Sequence, residues 1–238
     1  MANYLLSPRK PNVKTMQGIE IDLESAFKEL GEIKPEWRKI SREGLDLDYA
    51  LLFSKRLADR IMNQLENDVE YYSGNLTKVK IFGKLYNIPR QQVAYGDEGL
   101  TYRFSGVTIP AKTWIPPLKS IRDLIFRLTG VEYNFVLVNR YRNGSDHIGE
   151  HRDGESDLDP SAPIASLSLG QQRQFVLKHG DCRKKGPAKR DVPKVTIELQ
   201  HGSLLLMNPP TNQYWYHSLP PRKNANDVRI NLTFRKIV

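Results

Sequence analysis

Near its C-terminal end the chain reads Arg229-Ile-Asn-Leu-Thr-Phe-Arg235, and this alternation constrains the fold more than any other stretch. Successive residues of a β-strand point to opposite faces, so Arg229, Asn231, Thr233 and Arg235 share one side while Ile230, Leu232 and Phe234 share the other. The apolar side must be covered by another layer. The polar side carries two fixed guanidinium groups, and inside a barrel these need an anionic partner. A dicarboxylate supplies one through paired, charge-assisted hydrogen bonds.

The neighbouring sequence supplies the layers. Strand-like segments recur at 134–141, 164–169, 174–178, 194–199, 203–207, 214–218 and 228–237, separated by turn residues. Two helices precede them. One opens the folded part with Ser54 as N-cap and repeats Leu57, Ile61, Leu65 and Val69 along one side. The other enters at Pro116-Pro117, continues through Leu118, Ile121, Ile125 and Leu128, and stops at Gly130. Helices followed by many short, evenly spaced strands predict an α+β, mainly β fold: a double-stranded jelly roll with helices backing one sheet. Eight Phe, eleven Tyr and three Trp suffice for such a core.

His151-Arg152-Asp153, followed sixty-six residues later by His217, adds a second constraint. With Arg152 on a strand, the period of two points His151 and Asp153 the same way. Two histidines and one carboxylate form the facial triad that holds non-haem Fe(II) and leaves coordination positions open. Zinc hydrolases also use two histidines and a carboxylate, but a zinc reading gives no reason for the paired arginines.

Taken in order, H-x-D, a distal His and R-x-N-x-T-x-R resemble the AlkB family of Fe(II)/2-oxoglutarate-dependent dioxygenases. The likeness extends from about Trp37 to the C-terminus, through Phe82-Gly-Lys84, Tyr95-Gly-Asp97, Leu100-Thr-Tyr-Arg-Phe-Ser-Gly106, Asn139-Arg-Tyr141, Asp146-His-Ile-Gly-Glu-His151 and Trp215-Tyr-His-Ser-Leu-Pro220. It is greatest toward the branch that repairs alkylated bases in duplex DNA. The resemblance implies a double-stranded β-helix core, with Fe(II) on His151, Asp153 and His217. It implies 2-oxoglutarate held by Asn139, Tyr141, Arg229, Asn231, Thr233 and Arg235, with Arg235 on the far carboxylate and Arg229 nearer the metal. With O2, an N-alkyl group is hydroxylated and leaves as an aldehyde, alongside succinate and CO2.

A base stacked in a helix cannot reach a metal inside a jelly roll, so the nucleotide must flip out. Phe82-Gly83-Lys84 reads as a hairpin tip carrying an apolar wedge beside a phosphate-binding charge. Arg90 is expected to approach the opposite DNA strand. Tyr102 and Phe104, with Arg103 between them, are candidates for stacking on the flipped base, and Glu155 for accepting from its exocyclic amine. Gly154 stands where the family carries a carboxylate.

The formal charge is +9, and residues 36–238 hold the whole excess, 31 basic side chains against 22 acidic. That excess points to a polyanion. Between Lys178 and Lys194 seven basic residues surround Gly186-Pro187; Arg183, Lys184, Lys185, Lys189 and Arg190 read as a long flexible loop following a phosphate backbone, with Arg222 and Lys223 beside it. Single-stranded DNA or RNA is the alternative substrate for the same chemistry, and a non-catalytic damage binder the alternative class.

Residues 1–35 read as a flexible tail in which 21–30 could become helical on contact with something else, and 36–238 as the dioxygenase domain. Within that domain, 36–133 carry the helices and nucleotide-recognition hairpins and 134–238 the jelly-roll core. Asn3-Tyr4-Leu5-Leu6-Ser7 keeps the apolar centre of the family's sliding-clamp motif and lacks its flanking charges. A lone cysteine, Cys182, excludes an internal disulfide and fits a reducing compartment. No apolar run approaches the ~20 residues of a membrane span. The resemblance implies a monomeric nuclear protein acting on duplex DNA.

Overall fold

A computed structural model describes residues 25–28, 34–81, 84–104, 107–153 and 157–238. Its first eight strands are β1 Arg38–Arg42, β2 Leu45–Leu51, β3 Lys78–Ile81, β4 Lys84–Asn87, β5 Gln91–Gly96, β6 Thr101–Phe104, β7 Val107–Pro110 and β8 Lys112–Thr113. The other eight are β9 Phe135–Tyr141, β10 Ile148–His151, β11 Ile164–Gly170, β12 Arg173–His179, β13 Val195–Leu199, β14 Ser203–Asn208, β15 Trp215–Leu219 and β16 Arg229–Arg235. Helix α1 spans Lys55–Asp68, α2 Pro116–Thr129, and the single turn α3 Thr211–Tyr214.

An eight-stranded sheet in the order β1-β2-β14-β11-β16-β9-β5-β8 faces a four-stranded sheet, β10-β15-β12-β13. Two hairpins, β3-β4 and β6-β7, stand apart from both. This is the expected jelly roll, and the alternation in β16 sorts its layers. Ile230, Leu232 and Phe234 join Leu57, Ile61 and Leu65 of α1 and Leu118, Ile121 and Ile125 of α2 in one core on the outer face of the large sheet. A second core of Leu47, Tyr49, Leu177, Ile197, Leu205 and Trp215 fills part of the space between the sheets. The polar parity of β16 faces that inner space.

Both long helices form where their sequences predict. Ser54 accepts from the Leu57 amide at the start of α1, which satisfies one of the donors a helix N-terminus leaves open. Gly130 ends α2 in the left-handed region at φ 70°, where a side chain would strain the backbone.

Three organisational expectations change. The folded part opens with the β1-β2 hairpin rather than α1, and β2 pairs with β14 from Leu51 opposite Ser203 to Asp46 opposite Asn208. The jelly-roll core is not confined to 134–238, because β1, β2, β5 and β8 all belong to the large sheet. The body also begins before residue 36. Residues 25–28 form a helical turn, Phe27 is buried and stacks on Phe53 with ring centroids 5.8 Å apart, and Arg127 donates to its carbonyl. The contact is therefore with this chain's own core rather than with a partner. The clamp-like residues 3–7 lie outside the described residues.

Candidate active site

The metal ligands sit on the small sheet and the loop that follows β10. His151 ends β10 and pairs directly with His217 of β15, which brings the two rings to 4.3 Å between centroids. Asp153 does not share a strand with His151, contrary to expectation: Arg152 and Asp153 have no regular structure. A side-chain clamp replaces strand geometry. The Asp153 amide donates to Asn212 Oδ1 at 3.0 Å, and Asn212 Nδ2 donates back to the Asp153 carbonyl at 2.6 Å. Asn212 lies on α3, five residues before His217, and the sequence reading missed it because a lone Asn fifty-nine residues from Asp153 carries no periodic signal.

Asp153 Oδ1 lies 3.5 Å from His151 Nε2 and 3.6 Å from His217 Nε2, and these three side chains form the one metal-capable group among the described residues. His151 Nδ1 faces the Gly149 carbonyl at 2.9 Å. A carbonyl only accepts, so Nδ1 carries the proton and Nε2 keeps its lone pair for a metal. Asp153 and His217 are buried. Burial works to raise the Asp153 carboxyl pKa, but the Arg235 guanidinium at 2.9 Å and the two imidazoles outweigh it and hold the carboxyl well below its ordinary value. Burial lowers the His217 pKa despite the neighbouring carboxylate. Both shifts favour the metal-binding forms, carboxylate and neutral imidazole. The donor set fits Fe(II).

The large sheet supplies the facing wall. Cross-strand register places Tyr141 opposite Arg229 and Asn139 opposite Asn231, and Asn231 opposite Ser168 on the other side. Arg229 is 2% exposed; Nη2 donates to Ser168 Oγ at 2.9 Å, while Nε and Nη1 have no partner among the described residues. Burial pushes its pKa down to about 10, so the cation persists at neutral pH. Unpaired donors on a buried cation are costly, and a carboxylate is the ligand that offsets the cost. Asn231 spends its amide on Ser166 and the Leu167 carbonyl and accepts from Thr233, so these two polar residues brace the sheet.

Two assignments are corrected by these contacts. Arg235 ion-pairs with the metal-ligand carboxylate and Arg229 sits six residues along the strand, the reverse of the expected order. A seven-residue strand spans ~20 Å, so the two arginines stand at opposite ends of the inner face of β16. Arg90 does not reach out toward solvent. It is 7% exposed and donates to Asn139, Gln92 and the His147 carbonyl.

The expected nucleic-acid contacts lie on outward parts. Ile81 of β3 pairs with Lys84 of β4, and β4 is exposed throughout, with Leu85 66% accessible. Phe82, Gly83, Gly154 and Glu155 lie outside the described residues. Tyr102, Arg103 and Phe104 belong to β6, paired with β7; their side chains are likewise outside the description. The basic segment is more ordered than a flexible loop. Lys178 is still in β12, 3-10 turns follow at Gly180–Arg183 and Gly186–Ala188, and Arg190 bridges Glu43 and Asp181 while Lys184 pairs with Asp181. Lys185 and Lys189 are exposed. Arg222 pairs with Glu198 at 3.4 Å and Lys223 is exposed. Arg152 and Arg183 both stack on Tyr216, at 4.7 and 4.3 Å from the ring centre. With Lys184, Arg190 and Tyr214 they line a cleft of about 810 Å³.

Comparison with known proteins gives consistent matches. Residues 48–235 match the family model described as the 2OG-Fe(II) oxygenase superfamily. The chain is 51% identical over 230 residues to the DNA oxidative demethylase ALKBH2 of Mus musculus, covering 96% of each chain. It is 55% identical over 204 residues to the Homo sapiens protein of the same name, covering 86% of this chain and 78% of that one. Identity to the Homo sapiens alpha-ketoglutarate-dependent dioxygenase alkB homolog 3 is 34% over 237 residues, covering 91% and 79%. A solved structure described as "The structure of OsALKBH1" shares the fold, with a TM-score of 0.53 at 19% identity over 84% of this chain and 99% of that one.

Proposed function

The chain belongs to the 2OG-Fe(II) oxygenase superfamily, and from that premise we propose that it is an oxidative DNA dealkylase that removes N-alkyl groups from flipped bases in duplex DNA. 1-Methyladenine and 3-methylcytosine are the proposed lesions. The observation that carries the reading is a His-Asp-His triad with its carboxylate and distal histidine buried, facing a buried arginine with two donors unpartnered among the described residues, in a chain more than half identical to DNA oxidative demethylases.

His151, Asp153 and His217 would hold Fe(II), and Arg229, Asn139, Tyr141 and Arg235 would frame 2-oxoglutarate, with Arg229 on the carboxylate remote from the metal. Iron and co-substrate, when bound, supply the oxidation: O2 is consumed, 2-oxoglutarate becomes succinate and CO2, and the N-alkyl carbon gains a hydroxyl and departs as an aldehyde. The chain's own residues supply position and dryness. Arg235 keeps Asp153 ionised, the Gly149 carbonyl keeps His151 Nε2 available, and Asn212 holds Asp153 where no strand does.

On the DNA side, the exposed Leu85 and Tyr86 of β4 support the reading of the β3-β4 hairpin as a wedge with Phe82 at its tip and Lys84 beside it. Tyr102 and Phe104 would stack on the flipped base, with Glu155 at its polar edge. Arg183, Lys184, Lys185, Lys189, Arg190, Arg222 and Lys223, joined by Arg152, would meet phosphates. Arg152 and Arg183 stack on Tyr216; Arg152 Nη1 donates to the Gln213 carbonyl and Arg183 Nη1 lies 3.7 Å from the Glu150 carboxylate, and their remaining N–H groups would serve that purpose. The working compartment is the nucleus, and the active form a monomer.

The test is aldehyde release from a methylated duplex supplied with Fe(II) and 2-oxoglutarate. Release by the unaltered protein and none by His217→Ala is expected; no release by either defeats the proposal. Phe82→Ala should depress turnover on duplex more than on single strands, and equal loss on both would remove the wedge.

A further inference from the structure

Among the described residues the Arg90 side chain makes three hydrogen bonds, and all three acceptors are neutral carbonyl oxygens. Nε donates to Asn139 Oδ1 at 2.7 Å, Nη2 to Gln92 Oε1 at 3.4 Å, and Nη1 to the His147 backbone carbonyl at 3.4 Å. Guanidinium has no acceptor, so the amide atoms turned toward it must be oxygens. That settles the polarity of both amides by chemistry: each NH2 points away from Arg90. Gln92 and Asn139 pair directly across β5 and β9 and therefore share the inward face of the large sheet. The next strand carries Asn231 opposite Asn139 and, two residues before it, Arg229.

Gln92 is 2% exposed and its Nε2 has no partner among the described residues. An unpartnered buried donor on the same face of the sheet as the unpartnered donors of Arg229, two strands away, indicates that an acceptor-rich molecule belongs there. We infer that Arg90 is a positioning residue for the co-substrate: it locks Gln92 and Asn139 with both NH2 groups presented inward, and Gln92 is a further donor to the carboxylate-bearing ligand. The inference rests on the 2-oxoglutarate reading above and extends it to two residues with no role there. Without Arg90 the two amides are free to rotate, and either rotation turns an oxygen toward an anion.

Anaerobic titration of the Fe(II)-loaded protein with 2-oxoglutarate, followed by its metal-to-ligand absorption or by calorimetry, tests this directly. Arg90→Met is expected to weaken co-substrate affinity by about tenfold. Arg90→Lys, which keeps the charge and loses the fork, should fall between. Gln92→Leu, which removes the donor at similar volume and leaves the Arg90–Asn139 bond intact, should weaken it several-fold. Affinity of the metal-free protein for an alkylated duplex should stay within about twofold in all three. Unchanged co-substrate affinity in Gln92→Leu, or Arg90→Met binding 2-oxoglutarate normally while losing duplex affinity, overturns the inference. Should Arg90→Met fail to fold, Arg90→Lys and Gln92→Leu decide it. Absence of co-substrate binding by the unaltered protein would instead defeat the functional reading itself.

Discussion

The two faces of the large sheet are built to opposite specifications from the same strands. On the outer face Ile230, Leu232 and Phe234 meet two helices and bury hydrocarbon against hydrocarbon, each side chain contributing about 2 kcal/mol by removal from water. On the inner face Arg229 and Gln92 hold donors without a partner among the described residues, which opposes folding. The comparison teaches that apolar burial and the arginines left for a ligand are separated by residue parity along β16, with Asn231 and Thr233 bracing the sheet between them, not by region of sequence. One face stabilises the strand so that the other can carry an unmet demand.

The strongest test of that division removes the metal set. His217→Ala or Asp153→Ala should abolish iron retention and reduce turnover to background, while the folded baseline in circular dichroism survives; global unfolding would mean that the wall facing the large sheet is needed for the fold as well as for the ligand. Arg229→Met comes next. Replacing a buried charge by an apolar group of similar length should cost roughly 100-fold in 2-oxoglutarate affinity and should not lower the melting point of the ligand-free protein. A large loss of melting temperature would place Arg229 among the structural residues.

The outer face predicts the converse. Leu232→Ala should cost about 2–5 kcal/mol in urea unfolding through the cavity it leaves, with iron stoichiometry unchanged in the folded fraction. Phe27→Ala sharpens the same point, since a similar penalty would show that the turn at 25–28 belongs to the body, and no penalty that it does not.

A smaller effect is expected from pH. The Asp153 pKa lies below its unfolded value, so its contribution to stability is complete above about pH 3.9 and is lost as pH falls through the folded value. Burial opposes that shift and Arg235 is the leading charge that sustains it. Arg235→Leu should therefore move acid unfolding to higher pH; an unmoved midpoint would assign the effect to the imidazoles. Ser54→Ala, far from either face, should cost about 1 kcal/mol and leave both ligands' affinities alone.

Much of this was legible in the chain. Capping residues and proline and glycine positions marked both helices, and alternation in β16 assigned its two faces, because these signals are local and periodic. The β1-β2 hairpin was overlooked although Leu45, Leu47 and Tyr49 alternate with Asp46 and Asp48, a pattern shorter than the helix that follows. What local pattern could not supply was partner choice. Arg235 meets Asp153 and Arg90 meets Asn139 across 82 and 49 residues, and an arginine's reach is set by the packing around it. The expectation of an outward Arg90 failed for that reason. Asp153 failed the strand expectation because Asn212, on another element, does the holding.

The histidines stand on the small sheet and Arg229 on the large one, and that placement has a mechanical result. On the proposed function, a small anion gripped from both sides would stitch the halves of the roll across their seam, like a rivet through two plates.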